Sequence, residues 1–287
     1  MGVAPQAGDE QVKLWNGAAG RAWVETGDVL EGMFRPLEEL LVRSVSDAAA
    51  SRVLDIGCGT GATTFAVARV LGRQGHCTGI DISEPMIAAA RARAEREGRP
   101  VSFICADAQT CLFAPASFDM IVSRLGVMFF ADPVQAFANL RRAARPGAAL
   151  RFIAWRGAAE NPFMTTAEQA AKPLLPDLPA RRPDAPGQFG FADRKRVETI
   201  LEDSGWEAIA IDPVDVALSF PASELTRYVS WLGPVGVMLQ TMEEPLRTHV
   251  IETVRGAFGR YIHGTEIRFT AACWMVAARA PAEAVHG

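Results

Sequence analysis

Three aspartates stand at equal intervals in this chain, each at the end of an apolar run. Asp55 lies in Val53-Leu-Asp-Ile-Gly-Cys-Gly-Thr-Gly61, Asp81 closes Cys77-Thr-Gly-Ile-Asp81, and Asp107 follows Val101-Ser-Phe-Ile-Cys-Ala. Each step from 55 to 81 to 107 is 26 residues, room for a strand, a helix and two short turns. That is the size of one βα unit of an open parallel sheet. Such sheets bind ligands outside the carboxyl ends of their strands, so the three carboxylates are expected to line one crevice. The chemistry on offer is hydrogen-bond acceptance from hydroxyls and amines, and attraction of a cation.

The first aspartate sits beside a strand-to-helix corner. Gly57, Gly59 and Gly61 accept positive φ and let a ligand approach the backbone with no Cβ in the way. Thr60 or Gly61 is expected to open a helix carried by Phe65, Val67, Ala68 and Leu71, whose free N–H groups would point into the crevice. Two chemistries use such a corner. Gly57-x-Gly59-x-x-Ala62 fits the loose dinucleotide fingerprint, in which a pyrophosphate sits on the helix N-terminus. Asp55, two residues before the first glycine, argues against a phosphate there and for a cationic ligand, because like charges in a partly buried site repel. Taken singly, the glycines suit any tight turn, Asp107 suits a turn, and Asp119 suits the start of a strand.

The segment Val53–Gly61, with Asp81, Asp107 and Phe118-Asp-Met-Ile-Val-Ser123, resembles class I S-adenosylmethionine-dependent methyltransferases, in particular the ubiquinone/menaquinone C-methyltransferase-like group. The likeness runs on through Arg124-Leu-Gly-Val-Met-Phe-Phe-Ala-Asp-Pro133 and Asn139–Gly147, and reaches back to Trp15-Asn-Gly-Ala-Ala-Gly-Arg-Ala-Trp23. It covers about residues 11–156 and speaks for the cofactor, S-adenosyl-L-methionine, far more than for the substrate. It implies that Gly57, Cys58, Gly59 and Gly61 pass under the methionine part, with Asp55 near its ammonium group. It implies that Asp81 accepts from the ribose hydroxyls and that Ile82 packs on the adenine. Asp107 would accept from the adenine amino group, with the Ala108 N–H meeting a ring nitrogen. Ser123 would stand beside the methyl group's exit, and Trp15 and Trp23 would close the site from the N-terminal segment.

Composition agrees with an ordinary globular enzyme. The chain has 287 residues, 49% apolar and 22% charged, enough for one large α/β domain with a modest lid. A net charge of −4 argues against a nucleic-acid partner, which calls for a basic face. The arginines at 91, 93, 96 and 99, interleaved with Glu95 and Glu97, read as a solvated helix face. Five cysteines with no C-x-x-C pair and no zinc spacing point to a reducing, cytoplasmic setting without a metal. Residues 1–10 lack the basic start and apolar core of a signal peptide, and no apolar run is long enough for a membrane span.

The fold these patterns predict is α/β, a doubly wound, mostly parallel seven-stranded sheet with a helical cap. Strands are expected at 52–56, 77–81, 101–105, 118–123, 148–154, 207–215 and 268–277, and helices near 60–71, 84–97, 133–145 and 193–204. The expected organisation is a helical segment at 1–50 closing over the cofactor, the cofactor-binding half of the core at 51–156, and a proline-rich insertion at 157–192 with a short helix near 164–172. A core helix and strand follow at 193–218, a helical cap at 219–267, and the last strand and tail at 268–287. Trp15 and Trp23, eight residues apart, share one face of a continuous helix at α-helical pitch, where they either close the site or simply pack on the sheet.

Together these features predict methyl transfer by direct in-line attack onto a small, largely apolar or aromatic molecule held under the cap. His249 and His263 in the cap are candidate general bases, Tyr228 and Tyr261 orienting hydroxyls, and Arg124 a partner for a carboxylate or phenolate acceptor or for a structural ion pair. His76 and His286, in a turn and in the tail, are poor candidates. Two other classes remain open on sequence alone: a protein that binds the cofactor without transferring methyl, and a nicotinamide-dependent oxidoreductase. Neither oligomeric state nor the acceptor atom is legible.

Overall fold

The computed structural model describes residues 7–181 and 185–282; the readings made for residues 1–6, for part of the proline-rich insertion (182–184) and for His286 lie outside the described residues. The strands are β1 (Arg52–Ile56), β2 (His76–Asp81), β3 (Val101–Cys105), β4 (Phe118–Arg124), β5 (Ala144–Trp155), β6 (Glu207–Pro221), β7 (Ile262–His263) and β8 (Glu266–Arg279). Ahead of β1 come the helices α1 (Ala7–Asn16), α2 (Ala18–Glu25) and α3 (Gly27–Asp47). Within the core lie α4 (Ala62–Leu71), α5 (Glu84–Glu97), α6 (Pro133–Ala143), α7 (Pro162–Ala171) and α8 (Arg194–Asp203). Between β6 and β7 stand α9 (Leu225–Trp231), α10 (Gly233–Leu239) and α11 (Leu246–Ala257).

The strands form one sheet in the order β3-β2-β1-β4-β5-β8-β6, with the short β7 paired to β8. The first five run parallel, and β8 is antiparallel to both β5 and β6. This is the expected doubly wound sheet of seven main strands. The chain order reverses between β1 and β4, and a crevice opens at such a switch point, outside the carboxyl ends of the two strands.

Local sequence explains most element ends. Pro133 opens α6, and Asp132 caps it by accepting from the Gln135 N–H; Asp193 does the same for α8. Asp119 is a structural residue: its carboxylate accepts from the Ser51 and Arg52 N–H groups at the start of β1. Strands β6 and β8 run beyond the predicted 207–215 and 268–277, because the alternation continues through Val214, Val216, Leu218 and Phe220. Pro213 is tolerated within β6 because β6 is an edge strand. The described chain has no helix long and apolar enough to cross a membrane.

One buried side chain fastens the insertion to the sheet. Asn161, 1% exposed, accepts from the Ala272 N–H and donates to the Ala272 carbonyl, both at 2.9 Å. It thereby pairs the backbone of β8 at the entrance to α7. Asn161→Ala leaves the Ala272 N–H buried without that acceptor, while the Ala272 carbonyl keeps the Arg156 N–H, at a cost of about 1–3 kcal/mol. An unchanged denaturation midpoint in that variant would refute this role.

Candidate functional site

The glycine turn after β1 sets the geometry. Its Gly57 and Cys58 N–H groups donate to the Ile80 carbonyl at the end of β2, at 2.9 and 3.1 Å. Gly57, at φ +64°, packs directly on Gly126: a Cβ at Gly57 would stand 2.7 Å from the Gly126 Cα. Two chain segments therefore meet backbone to backbone, and beside them a cavity opens at the carboxyl ends of β1, β2, β3 and β4. Gly57, Cys58, Gly59 and Thr60 line it, as do Ile80, Asp81 and Ile82, Ala106 to Ala108, and Arg124 to Gly126.

The sequence-predicted residues fall into two groups. Gly57, Cys58, Gly59, Asp81, Ile82, Asp107, Ala108, Trp15 and Trp23 line this cavity; Asp55, Gly61 and Ser123 do not. Asp81 has a double task, since its two oxygens accept from the Gly59 and Ser83 N–H groups at 2.8 and 2.9 Å. Burial raises its pKa, and those backbone hydrogen bonds pull it back. Each carboxylate oxygen has a second lone pair, so Asp81 can still accept from a ligand hydroxyl. Asp107 accepts from the Gln109 N–H at 2.8 Å and stands at the cavity's edge.

Asp55 is sealed behind the turn at 1% exposure. Its Oδ2 accepts from Thr64 Oγ1 at 2.7 Å, while its Oδ1 is buried without a partner. It therefore acts on a ligand at most as a charge behind the turn, and the expected place beside the cavity is corrected. Gly61 is the N-cap of α4, with φ +88°, and Phe65 and Phe103 fill the space beside it. Ser123 is fully buried; its Oγ donates to the Ile56 carbonyl and accepts from the Gly126 N–H, so it braces β4 against β1 and does not border the cavity.

The opposite wall is aromatic. Trp15, Trp23, Leu30, Phe34, Phe129 and Phe130 line it. Trp15 meets Phe129 edge-on at 5.0 Å and Trp23 at 6.2 Å. The two tryptophans do not share one helix face: the chain breaks at Gly17, between α1 and α2, and the rings meet across the break. This cover is pinned to the sheet by Asn16, which donates to the Ile82 carbonyl and accepts from the Glu84 N–H.

The expected cap plays a different part. Among the described residues, no side chain from 219–267 lines the cavity. His249, on α11, and His263, on β7, are exposed and lie outside it, so neither is placed to act as a base there. Tyr228 and Tyr261 pack with Phe163 and Phe258 in a separate aromatic cluster. The helical segment instead buttresses the cover, since Arg227 of α9 pairs with Asp28 of α3 at 3.0 Å and donates to the Glu25 carbonyl.

Three lining residues had no distinctive sequence signal: Gln11, Glu31 and Phe34. They lie on α1 and α3, in segments with ordinary amphipathic patterning, and only the packing of those helices over the sheet brings them to the site. Gln11 Oε1 and Arg124 Nη1, both on the cavity wall, are buried polar atoms without a hydrogen-bond partner. A ligand with complementary groups satisfies such atoms.

Burial lifts the Asp55 carboxyl from 3.8 to about 7. The folded protein thus keeps a proton there over a range in which the unfolded chain has released it. The stabilisation from this group is complete below the unfolded value and is lost as the pH rises to about 7. Asp55→Asn cannot ionise, so its stability relative to wild type should rise as the pH climbs through that window. Urea midpoints that differ by a constant amount across the range would contradict this account.

Residues 53–147 match the family described as a methyltransferase domain. The aklanonic acid methyltransferase DauC of Streptomyces sp. (strain C5) is 41% identical over 107 residues, which are 37% of this chain and 49% of that protein. The chain spans about half the length of the curated relatives it matches. A methyltransferase-like structure from Bacillus halodurans aligns with a TM-score of 0.53 at 16% identity, covering 84% of this chain and 98% of that one. The [4+2]-cyclase SpnF aligns with 0.52 at 21%, covering 84% and 80%. Resemblances at these identities speak for the fold alone. With a match to a methyltransferase domain at residues 53–147 and this sheet order around it, the chain is similar over that segment to methyltransferases and shares the fold of the solved structures it aligns with.

Proposed function

We propose that this protein transfers a methyl group from S-adenosyl-L-methionine to a small, largely apolar or aromatic molecule. The observation that carries the reading is the division of one cavity into two walls. Asp81, Asp107 and the Gly57–Thr60 backbone border one side, and Trp15, Trp23, Phe34 and Phe129 the other. The first wall suits a nucleoside with hydroxyls and an amine, and the second suits a flat apolar acceptor. The unpartnered Gln11 and Arg124 atoms on the cavity's two sides fit a polar ligand bound between them.

When bound, S-adenosylmethionine supplies a methyl carbon on a sulfonium, which is already a good leaving group. The chain's own contribution is alignment and exclusion of water. Positioning of this kind supplies roughly 7–11 kcal/mol of the barrier. Asp81 and Asp107 hold the ribose and adenine ends, and the glycine backbone lies under the methionine part. The aromatic wall holds the acceptor and keeps water from it. No histidine lines the cavity among the described residues, which favours an acceptor atom that is nucleophilic without a histidine base. The relative named for aklanonic acid is consistent with a small-molecule acceptor. The reading places the activity in the cytoplasm and calls for neither nucleic acid nor membrane.

Calorimetric titration tests it directly. S-adenosylmethionine and S-adenosylhomocysteine should bind and NAD should not; binding of NAD alone would overturn the proposal in favour of an oxidoreductase. Each of Asp81→Ala and Asp107→Ala removes a charge-assisted acceptor, so S-adenosylhomocysteine affinity should fall roughly 10- to 100-fold. Asp81→Ala also frees the Gly59 and Ser83 N–H groups and Asp107→Ala the Gln109 N–H, so both should melt earlier than wild type, Asp81→Ala by more. Methylated product from an aromatic acceptor separates an enzyme from a protein that only binds the cofactor.

A further inference from the structure

A buried guanidinium with a free donor stands beside the glycine turn. Arg124 leaves the end of β4, and its Nε donates to Thr63 Oγ1 in the first turn of α4 at 3.0 Å. Its Cζ lies 5.4 Å from the centre of the Phe34 ring on α3. These two contacts fix the group and leave Nη1 buried without a partner. Glu38, Asp55 and Glu31 lend it negative potential, yet none of them forms an ion pair with it among the described residues. Leaving a buried charged donor unpaired is costly, and a bound anion removes that cost.

The place of Arg124 in the sheet says which anion. Asp81 and Asp107 border the cavity at the ends of β2 and β3, whereas Arg124 borders it at the end of β4. The strand order β3-β2-β1-β4 puts the acids and the guanidinium on opposite sides of β1. A ligand whose hydroxyls and amine meet the two aspartates therefore reaches Arg124 with its far end. In the cofactor of the proposed function that end is an α-amino acid. We propose that Arg124 binds the carboxylate of the cofactor's amino-acid end through Nη1, with Thr63 holding the guanidinium in place. This inference rests on the cofactor reading of the cavity. An acidic acceptor is the other source of the same carboxylate chemistry, and the experiment separates the two.

The test is a cycle over residue and ligand. Wild type and Arg124→Met are titrated with S-adenosylhomocysteine and with S-adenosyl-3-thiopropylamine, the same molecule without its carboxylate. In wild type, loss of the carboxylate should weaken binding roughly 10- to 100-fold, the worth of a charge-assisted hydrogen bond. In Arg124→Met the acid should lose about that factor, and the two ligands should then bind within about 2-fold of each other, the ordinary error of additivity. Equal weakening of both ligands would make Arg124 a structural residue and overturn the proposal. So would unchanged affinity for S-adenosylhomocysteine, the result expected if Arg124 serves an acceptor acid. If Arg124→Met does not fold, Arg124→Lys keeps the charge without the planar fork and should show a reduced version of the same coupling; full wild-type coupling in it would count against the assignment. Failure of wild type to bind either ligand would sink the cofactor reading itself, a result distinct from failure of the arginine.

Discussion

The contact between Gly57 and Gly126 is the constraint on which the site depends. Side-chain-free backbone on both strands lets the turn after β1 and the segment after β4 touch, where a single Cβ would stand 2.7 Å from a backbone carbon. That contact draws the ends of β1 and β4 together at the switch point. It also aims the Gly57 and Cys58 N–H groups at the Ile80 carbonyl, tying β2 into the same corner. Asp81 then completes the arrangement by accepting from Gly59. The residue best suited to hold a ligand hydroxyl is thus also a pin of the turn, so binding and local stability are coupled through one carboxylate.

Around that corner the protein keeps charge out of water. Asp55 is sealed beneath the turn with one oxygen unpaired, and Arg124 is held nearby with one donor unpaired. In a low-dielectric setting such groups act strongly on whatever occupies the cavity and are expensive while nothing does. This is a common compromise at functional sites, where local satisfaction gives way to preorganisation. The free energy that covers it comes from the surrounding core, in which Phe65, Phe137, Phe152 and Phe163 are fully buried.

The cover over the cavity is built from two layers. Helices α1 and α2 present Trp15 and Trp23, and the helices between β6 and β8 stand behind them, joined through Arg227 to Asp28 and to the Glu25 carbonyl. A segment inserted into the long β6–β8 hairpin therefore packs on the cover of the cavity while, among the described residues, it does not line it.

The chain by itself determined the sheet and the glycine corner. Its 26-residue period of strand, turn and acid reflects interactions local to each βα unit, so β1 to β4 fell within a residue or so of their expected ends, and Asp81, Asp107 and the Gly57–Gly59 turn were legible as cavity residues. What only the tertiary structure decided was which buried groups face the ligand. Asp55 and Ser123 lie in the same motifs as the lining residues, yet packing turns them into the sheet; the break at Gly17 sets Trp15 and Trp23 on different helices. The histidines at 249 and 263 are carried to the surface, while Gln11, Glu31 and Phe34 are brought in by helices with no motif at all. The physical reason is one of range. Strand, turn and cap preferences are written in neighbouring residues, whereas a cavity wall is made by side chains from distant segments whose meeting depends on how whole helices pack.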